Sequence, residues 1–244
     1  MSIEELNNEF DIHYNSIAGQ SSPNLDLYEK SIFFTKAQLE LVKDYYDPQS
    51  NRKQKGFEAS EKRRTDLKEL IKNYKSLIYF SDNNAIDSSS KFFNIPNDVF
   101  IITNEKGIIK DTGCFEGKSL NIKPMTQDEY NIQIDNPFKR PNEKVAWRLD
   151  FSKINNNKVV EIVTPYKIEY NLRYIKYPKP IILGDLDILF PSENLSIDGQ
   201  TSPSTCELDI EIHKEIVDRA VELALRDYKP SGLESKIQID QRNE

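Results

Sequence analysis

Tyr170-Asn171-Leu172-Arg173-Tyr174-Ile175-Lys176-Tyr177 alternates apolar or aromatic with polar side chains and stops at Pro178. A period near two sends successive side chains to opposite faces, which is the pattern of a half-buried strand, and proline cannot donate to the ladder beyond it. Two upstream runs read the same way. Val145 to Phe151 alternates, Val159 to Val163 is rich in β-branched residues, and the polar turn Asn155-Asn156-Asn157-Lys158 separates them. Earlier still, Val99-Phe100-Ile101-Ile102 and Gly107-Ile108-Ile109 predict two strands around a turn at Asn104-Glu105-Lys106-Gly107. Sequential strands joined by short turns predict an antiparallel sheet or small sandwich.

On either side of this β-rich stretch the period is helical. Ser2 with Glu5 forms a capping box ahead of Ile3, Leu6, Phe10, Tyr14 and Ile17, and Gly19 ends that run. Asp26 with Glu29 forms a second box and Thr35 with Gln38 a third, the latter opening a helix that stops before Pro48. Gln49 to Gly56 is a polar loop. Leu67, Leu70, Ile71, Tyr74 and Leu77 then predict one long amphipathic helix from Glu58 to Tyr79. Thr126 with Glu129 marks a short helix, and the two prolines of Asn136-Pro137-Phe138-Lys139-Arg140-Pro141 demand a loop.

Pro180 to Thr205 is irregular. Asp209 caps a final helix with Ile212, Ile216, Ala220, Leu223 and Ala224 on one face. That helix is too short and one-sided to stand alone, so it completes the N-terminal bundle. The expected fold is α+β. An antiparallel helical bundle spans 1–94 and is completed by 206–229, an inserted antiparallel β-rich domain spans 95–205, and an extended, polar C-terminal arm spans 230–244.

The 244 residues are 37% apolar and 30% charged, with 33 basic against 40 acidic side chains and a formal charge of −7. A nucleic-acid grip normally carries the opposite excess. Arg63-Arg64 and Lys139-Arg140 read first as solvated faces or ion pairs and only second as phosphate contacts. Cys114 and Cys206 are far apart and outside any CxxC, which fits a reducing compartment. The start Met1-Ser2-Ile3-Glu4-Glu5 lacks signal-peptide blocks, and no apolar run approaches the roughly 18 residues of a membrane span. The expectation is a soluble intracellular product without a membrane partner.

The residues offer little for catalysis. His13 and His213 lie on separate predicted helices with no metal spacing, and they read as surface or packing histidines. Only 8 glycines are present, and no phosphate-cradling or nucleophile-elbow motif occurs. Asp185-Leu186-Asp187 is the nearest approach to a catalytic carboxylate pair and reads first as a solvated loop. No catalytic, cofactor-binding or metal-ligating set is assigned. Tyr and Phe number 12 each; aromatic side chains with polar tips suit surfaces buried on assembly, and equally an ordinary β-domain core. The interaction residues chosen are Lys139, Arg140, Tyr174 and Tyr177, with Lys236, Ile237, Ile239 and Arg242 of the arm.

The order of elements, with several local motifs, resembles the head-to-tail adaptors of short-tailed phages, the tail tubular protein A group, and in particular the ring proteins of crAss-like phages. The motifs are Asn7-Asn8-Glu9-Phe10-Asp11, Tyr28-Glu29-Lys30-Ser31, Thr35-Lys36-Ala37-Gln38 and Asn136-Pro137-Phe138-Lys139-Arg140-Pro141. To these are added Arg173-Tyr174-Ile175-Lys176-Tyr177-Pro178-Lys179-Pro180, Cys206-Glu207-Leu208 and the run His213 to Ala224. The resemblance implies a structural virion protein made in the host bacterial cytoplasm. It implies a ring of about twelve copies below the portal, joined to other connector rings, with DNA passing through unread. The net negative charge suits such a channel. It implies no enzyme activity.

Two other readings stay open on the residues alone. A monomeric binding module would gather its tyrosines in one exposed patch. A two-carboxylate hydrolase would hold two acids with split pKa values in a deep pocket.

Overall fold

The computed structural model describes residues 1–18, 24–46, 61–81, 85–150 and 157–228. The chain forms two compact units. Met1–Leu70 and Pro178–Glu244 make a helical unit, and Ile71–Tyr177 make a β unit inserted within it. The seams therefore fall at 70/71 and 177/178, where the sequence reading sets them at 94/95 and 205/206. Gly19, the loop 49–56 and the arm 230–244 lie outside the described residues.

In the helical unit, helix α1 spans Ile3–Ala18 and α2 spans Leu27–Tyr46. Both begin with the expected reciprocal boxes. The Ser2 amide donates to Glu5 Oε2 at 2.8 Å and the Glu5 amide to Ser2 Oγ at 3.2 Å. The Asp26 amide donates to Glu29 Oε2 at 3.1 Å and the Glu29 amide to Asp26 Oδ1 at 2.7 Å. Each satisfies amides that a first helical turn leaves open.

The third expected box does not form, because α2 runs unbroken through Thr35 and Gln38. Their side chains turn outward from the helix to grip the chain after Pro178. The Leu183 amide donates to Ser31 Oγ at 3.0 Å and the Ile181 amide to Thr35 Oγ1 at 3.1 Å, while Gln38 Nε2 donates to the Lys179 carbonyl at 2.9 Å. Three polar side chains of one helix thus supply the partners that a strand would supply to an extended, buried segment. This ladder is why 178–183 belongs to the helical unit.

Helix α3 covers only Glu61–Asp66, followed by a 3-10 turn at Lys68–Leu70. The predicted long helix to Tyr79 is overturned, since strand β1 begins at Ile71 and runs to Ser76. Leu67 and Leu70 are buried in the helical unit. Beyond them, Tyr74 pairs with Leu172 and Ile71 with Ile175. Spacing of 67, 70, 71, 74 and 77 fits a helix, but tertiary strand pairing outweighs that weak local preference.

The last helix in the chain, α6, spans His213–Tyr228. It packs on both α1 and α2. Val217, Val221 and Leu225 are buried along with Ile216, Ala220, Leu223 and Ala224, so α6 is apolar on more than one face. Polar ties fix its flanks. Arg219 reaches Glu40 at 2.8 Å and Glu222 at 2.9 Å, and Glu215 accepts from Tyr45 Oη at 2.7 Å and Lys62 Nζ at 2.6 Å.

The β unit is a curled seven-stranded sheet in the order β1-β7-β3-β4-β5-β6-β2. Its strands are β2 Ser90–Ile95, β3 Val99–Ile109, β4 Ser119–Met125, β5 Val145–Asp150, β6 Lys158–Val163 and β7 Ile168–Lys176. Neighbours are antiparallel except β4 and β5, which are parallel. The sheet is therefore mixed, where the short turns predict antiparallel pairing throughout. The crossover between β4 and β5 carries helix α4, Gln127–Gln133, opened by the Thr126–Glu129 capping box. Past β1, Phe80 bridges to Phe92 on the far edge strand β2, drawing the two edges together.

Ile109, Leu120, Ile122, Ala146, Val160, Ile168, Tyr170 and Leu172 fill the inside of the curl, and Trp147 and Leu149 pack with Tyr130 of α4 on the outside. The expected turn at 104–107 is continuous β3. Glu105 points inward to an arginine, and Gly107 lies where an added Cβ would sit 2.9 Å from Leu120 Cδ1 and 3.2 Å from Ile168 Cδ1. Glycine there marks close packing within a strand instead of a bend.

Candidate interaction surfaces

Lys139 and Arg140 are exposed in the loop between α4 and β5. Arg140 is partly committed, since its Nε donates to the Ile134 carbonyl at 2.6 Å. Its charge also acts on Asp87. Burial pushes that carboxyl up, but the Ser89 amide and hydroxyl, Tyr130 Oη and Arg140 hold it below the usual range.

Tyr174 is placed in the core of the β unit, 5% exposed, because it shares the inward parity of Tyr170 and Leu172 on β7. Its hydroxyl donates to Asp98 Oδ1 at 3.1 Å, and burial followed by that bond pushes its pKa up to about 12. Tyr177 is exposed and meets the Phe100 ring edge-on at 5.3 Å. Lys236, Ile237, Ile239 and Arg242 lie outside the described residues.

The two histidines separate in role. His13 Nδ1 lies 2.9 Å from Asp218 Oδ1 on the surface between α1 and α6. His213 is buried, with Nδ1 3.0 Å from the Met1 ammonium and Nε2 3.1 Å from the Leu208 carbonyl. An ammonium can only donate, so Nδ1 accepts and Nε2–H donates, which fixes the neutral tautomer. Desolvation holds its pKa below the ordinary histidine value. Cys206 is buried and its thiol is pushed up to about 11 by desolvation, whereas Cys114 is exposed.

Asp185 and Asp187 serve a short helix α5, Leu186–Leu189. Asp185 caps it through the Asp187 and Ile188 amides, and Asp187 accepts from Thr201 Oγ1 at 2.7 Å. Among the described residues, no group of three or more His, Cys, Asp or Glu side chains is arranged to hold a metal ion, and no helix is long and apolar enough to cross a membrane.

The surface feature that sequence reasoning missed is apolar. Phe138 is 94% exposed and Ile188 is 76% exposed, with Ile12, Ile78, Ile132 and Ile210 also in solvent. Phe138 sits in a segment legible as loop, yet sequence carries no signal for how bare it stands.

The family model of phage tail ring protein 3/4 matches residues 1–234, which takes in both units. The chain belongs to that family. It is 36% identical over 247 residues to a protein of Bacteroides phage crAss001 called ring protein 4/5, covering all of both chains. It is 35% identical over 228 residues to ring protein 3 of the same phage, covering 92% of this chain and 95% of that one. The chain is thus a structural ring protein of a phage particle. Its identity to these two differently named ring proteins is nearly equal.

Proposed function

We propose that the chain forms a closed ring of about twelve copies in the head-to-tail connector, below the portal, with the DNA path through its centre. The observation that carries this reading is the match of residues 1–234, across the helical and β units together, to a phage tail ring protein family. Exposed apolar side chains distributed over both units are the kind of surface that assembly covers. The net charge of −7 suits a channel through which DNA slides without being held. The ring contacts the portal and other connector rings, and the arm 230–244, with Lys236, Ile237, Ile239 and Arg242, crosses to a neighbour. Lys139, Arg140 and Tyr177 contribute to subunit contacts.

The test is the native mass of the chain alone and mixed with the portal protein of the same phage. A complex of about twelve copies on the portal supports the reading. A monomer that ignores the portal contradicts it.

A further inference from the structure

Phe138 is held in solvent by an ordered turn. Its own amide donates to Asn136 Oδ1 at 3.0 Å, the Lys139 amide to the Asn136 carbonyl at 3.0 Å, and Arg140 Nε to the Ile134 carbonyl at 2.6 Å. Pro137 further restricts the backbone. The result is an exposed aromatic knob on a hydrogen-bonded turn, followed directly by the exposed cations Lys139 and Arg140. Scattered exposed apolar residues are ordinary, but a bare phenylalanine on a pre-ordered turn has the character of an interface anchor, because little entropy is lost when it docks.

The helical unit carries a face of matching chemistry. In α5, Leu186 points inward against Ile182 and Ile197, leaving Ile188 and Leu189 outward. Leu189 and Leu27 are neighbours, since Leu189 Cδ1 and Leu27 Cδ1 lie 2.8 Å and 3.2 Å from one point above Gly184. Next to them Tyr28 meets the Phe190 ring edge-on at 6.3 Å. The charges nearest in sequence are Asp26, Glu29, Asp185 and Asp187; Lys30 is buried and paired with Asp11 at 2.7 Å, and no lysine or arginine occurs from Pro180 to Ile212.

We infer that the Phe138 turn of one copy docks on the Ile188–Leu189 face of a second copy, with Lys139 and Arg140 toward its acidic rim. The inference rests on the ring reading above and names the contact that closes the ring. Every copy then carries one knob with two cations on its C-terminal side and one apolar face beside acidic residues. Two different patches that complement each other make a head-to-tail contact, the kind that generates rings. The opposite charges set the pairing and disfavour knob against knob.

Two chains, F138C and I188C, each in a Cys114→Ser background, test this when mixed and oxidised. Mixing takes place in rings of the chain or in particles complemented with both variants. Cys206 is buried, so each chain carries one reactive thiol. A mixed disulfide dimer is expected only when both variants are present, and F138E is expected to abolish ring formation while leaving the monomer folded. Rings of unchanged mass with no mixed disulfide overturn the contact but keep the ring. F138C that links to itself, or to a different particle protein, also overturns it. If the unsubstituted chain forms no ring in either setting, the ring reading fails and the contact fails with it.

Discussion

Arg148 Nη1 lies 2.6 Å from Glu105 Oε2 inside the curled sheet, joining β5 to β3 by an ion pair whose side chains are 12% and 4% exposed. Tyr170 Oη of β7 donates to the other carboxylate oxygen, so three strands meet on one buried acid. Removing one partner of such a pair leaves an uncompensated charge in a low dielectric. Glu105→Ala is expected to cost about 3–5 kcal/mol, read as a lowered denaturation midpoint. The double variant Glu105→Leu/Arg148→Met should recover much of that loss. Equal losses in the single and double variants would show that the stranded charge of Arg148 is not the cause.

The ladder from α2 predicts a second loss. Thr35→Val keeps shape but withdraws the acceptor from the buried Ile181 amide, which should cost about 1–3 kcal/mol. Ser31→Ala should do the same at Leu183. Amide exchange at 181 and 183 should speed up in the respective variants, and unchanged exchange would refute the role assigned to these hydroxyls.

His213 predicts a pH dependence. Its folded pKa lies below the ordinary value of 6.5, chiefly by desolvation, with the Met1 ammonium adding to the depression. A depressed pKa gives stability that is complete above about 6.5 and is lost as pH falls through the folded value. The denaturation midpoint should therefore drop on acidification more steeply in the natural chain than in His213→Gln. Identical slopes would remove His213 as the cause.

The cysteines predict selective chemistry. Cys114 is exposed and Cys206 buried with its pKa near 11, and the thiolate is the reactive form. A thiol reagent at neutral pH should modify Cys114 at once and Cys206 only after denaturant is added. Comparable rates at both would contradict the burial of Cys206.

Much of this architecture is legible locally. The boxes at Ser2, Asp26 and Thr126 mark helix starts because each pairs a cap with an acid three residues on, and β5 to β7 show their strands through β-branched runs and alternation. What stays hidden depends on partners distant in sequence. Thr35 and Gln38 have the letters of a cap but serve residues 181 and 179, and Glu105 to Gly107 look like a turn until Arg148, Leu120 and Ile168 are in place. Ile71 to Ser76 fits either period, and only β7 decides it. Of the interaction residues, Tyr174 belongs with the core by its parity with Tyr170 and Leu172, while Lys139 and Arg140 are on the surface. The exposure of Phe138 just before them is set by the turn at Asn136, which no hydropathy pattern records.

Whether the chain forms a ring can be seen by electron cryo-microscopy of the neck region of the phage particle with symmetric averaging. The expected result is a closed layer below the portal into which the helical and β units fit as repeated density, about twelve times around the DNA path. Density for the chain as a single copy, or its absence from the neck, would contradict it.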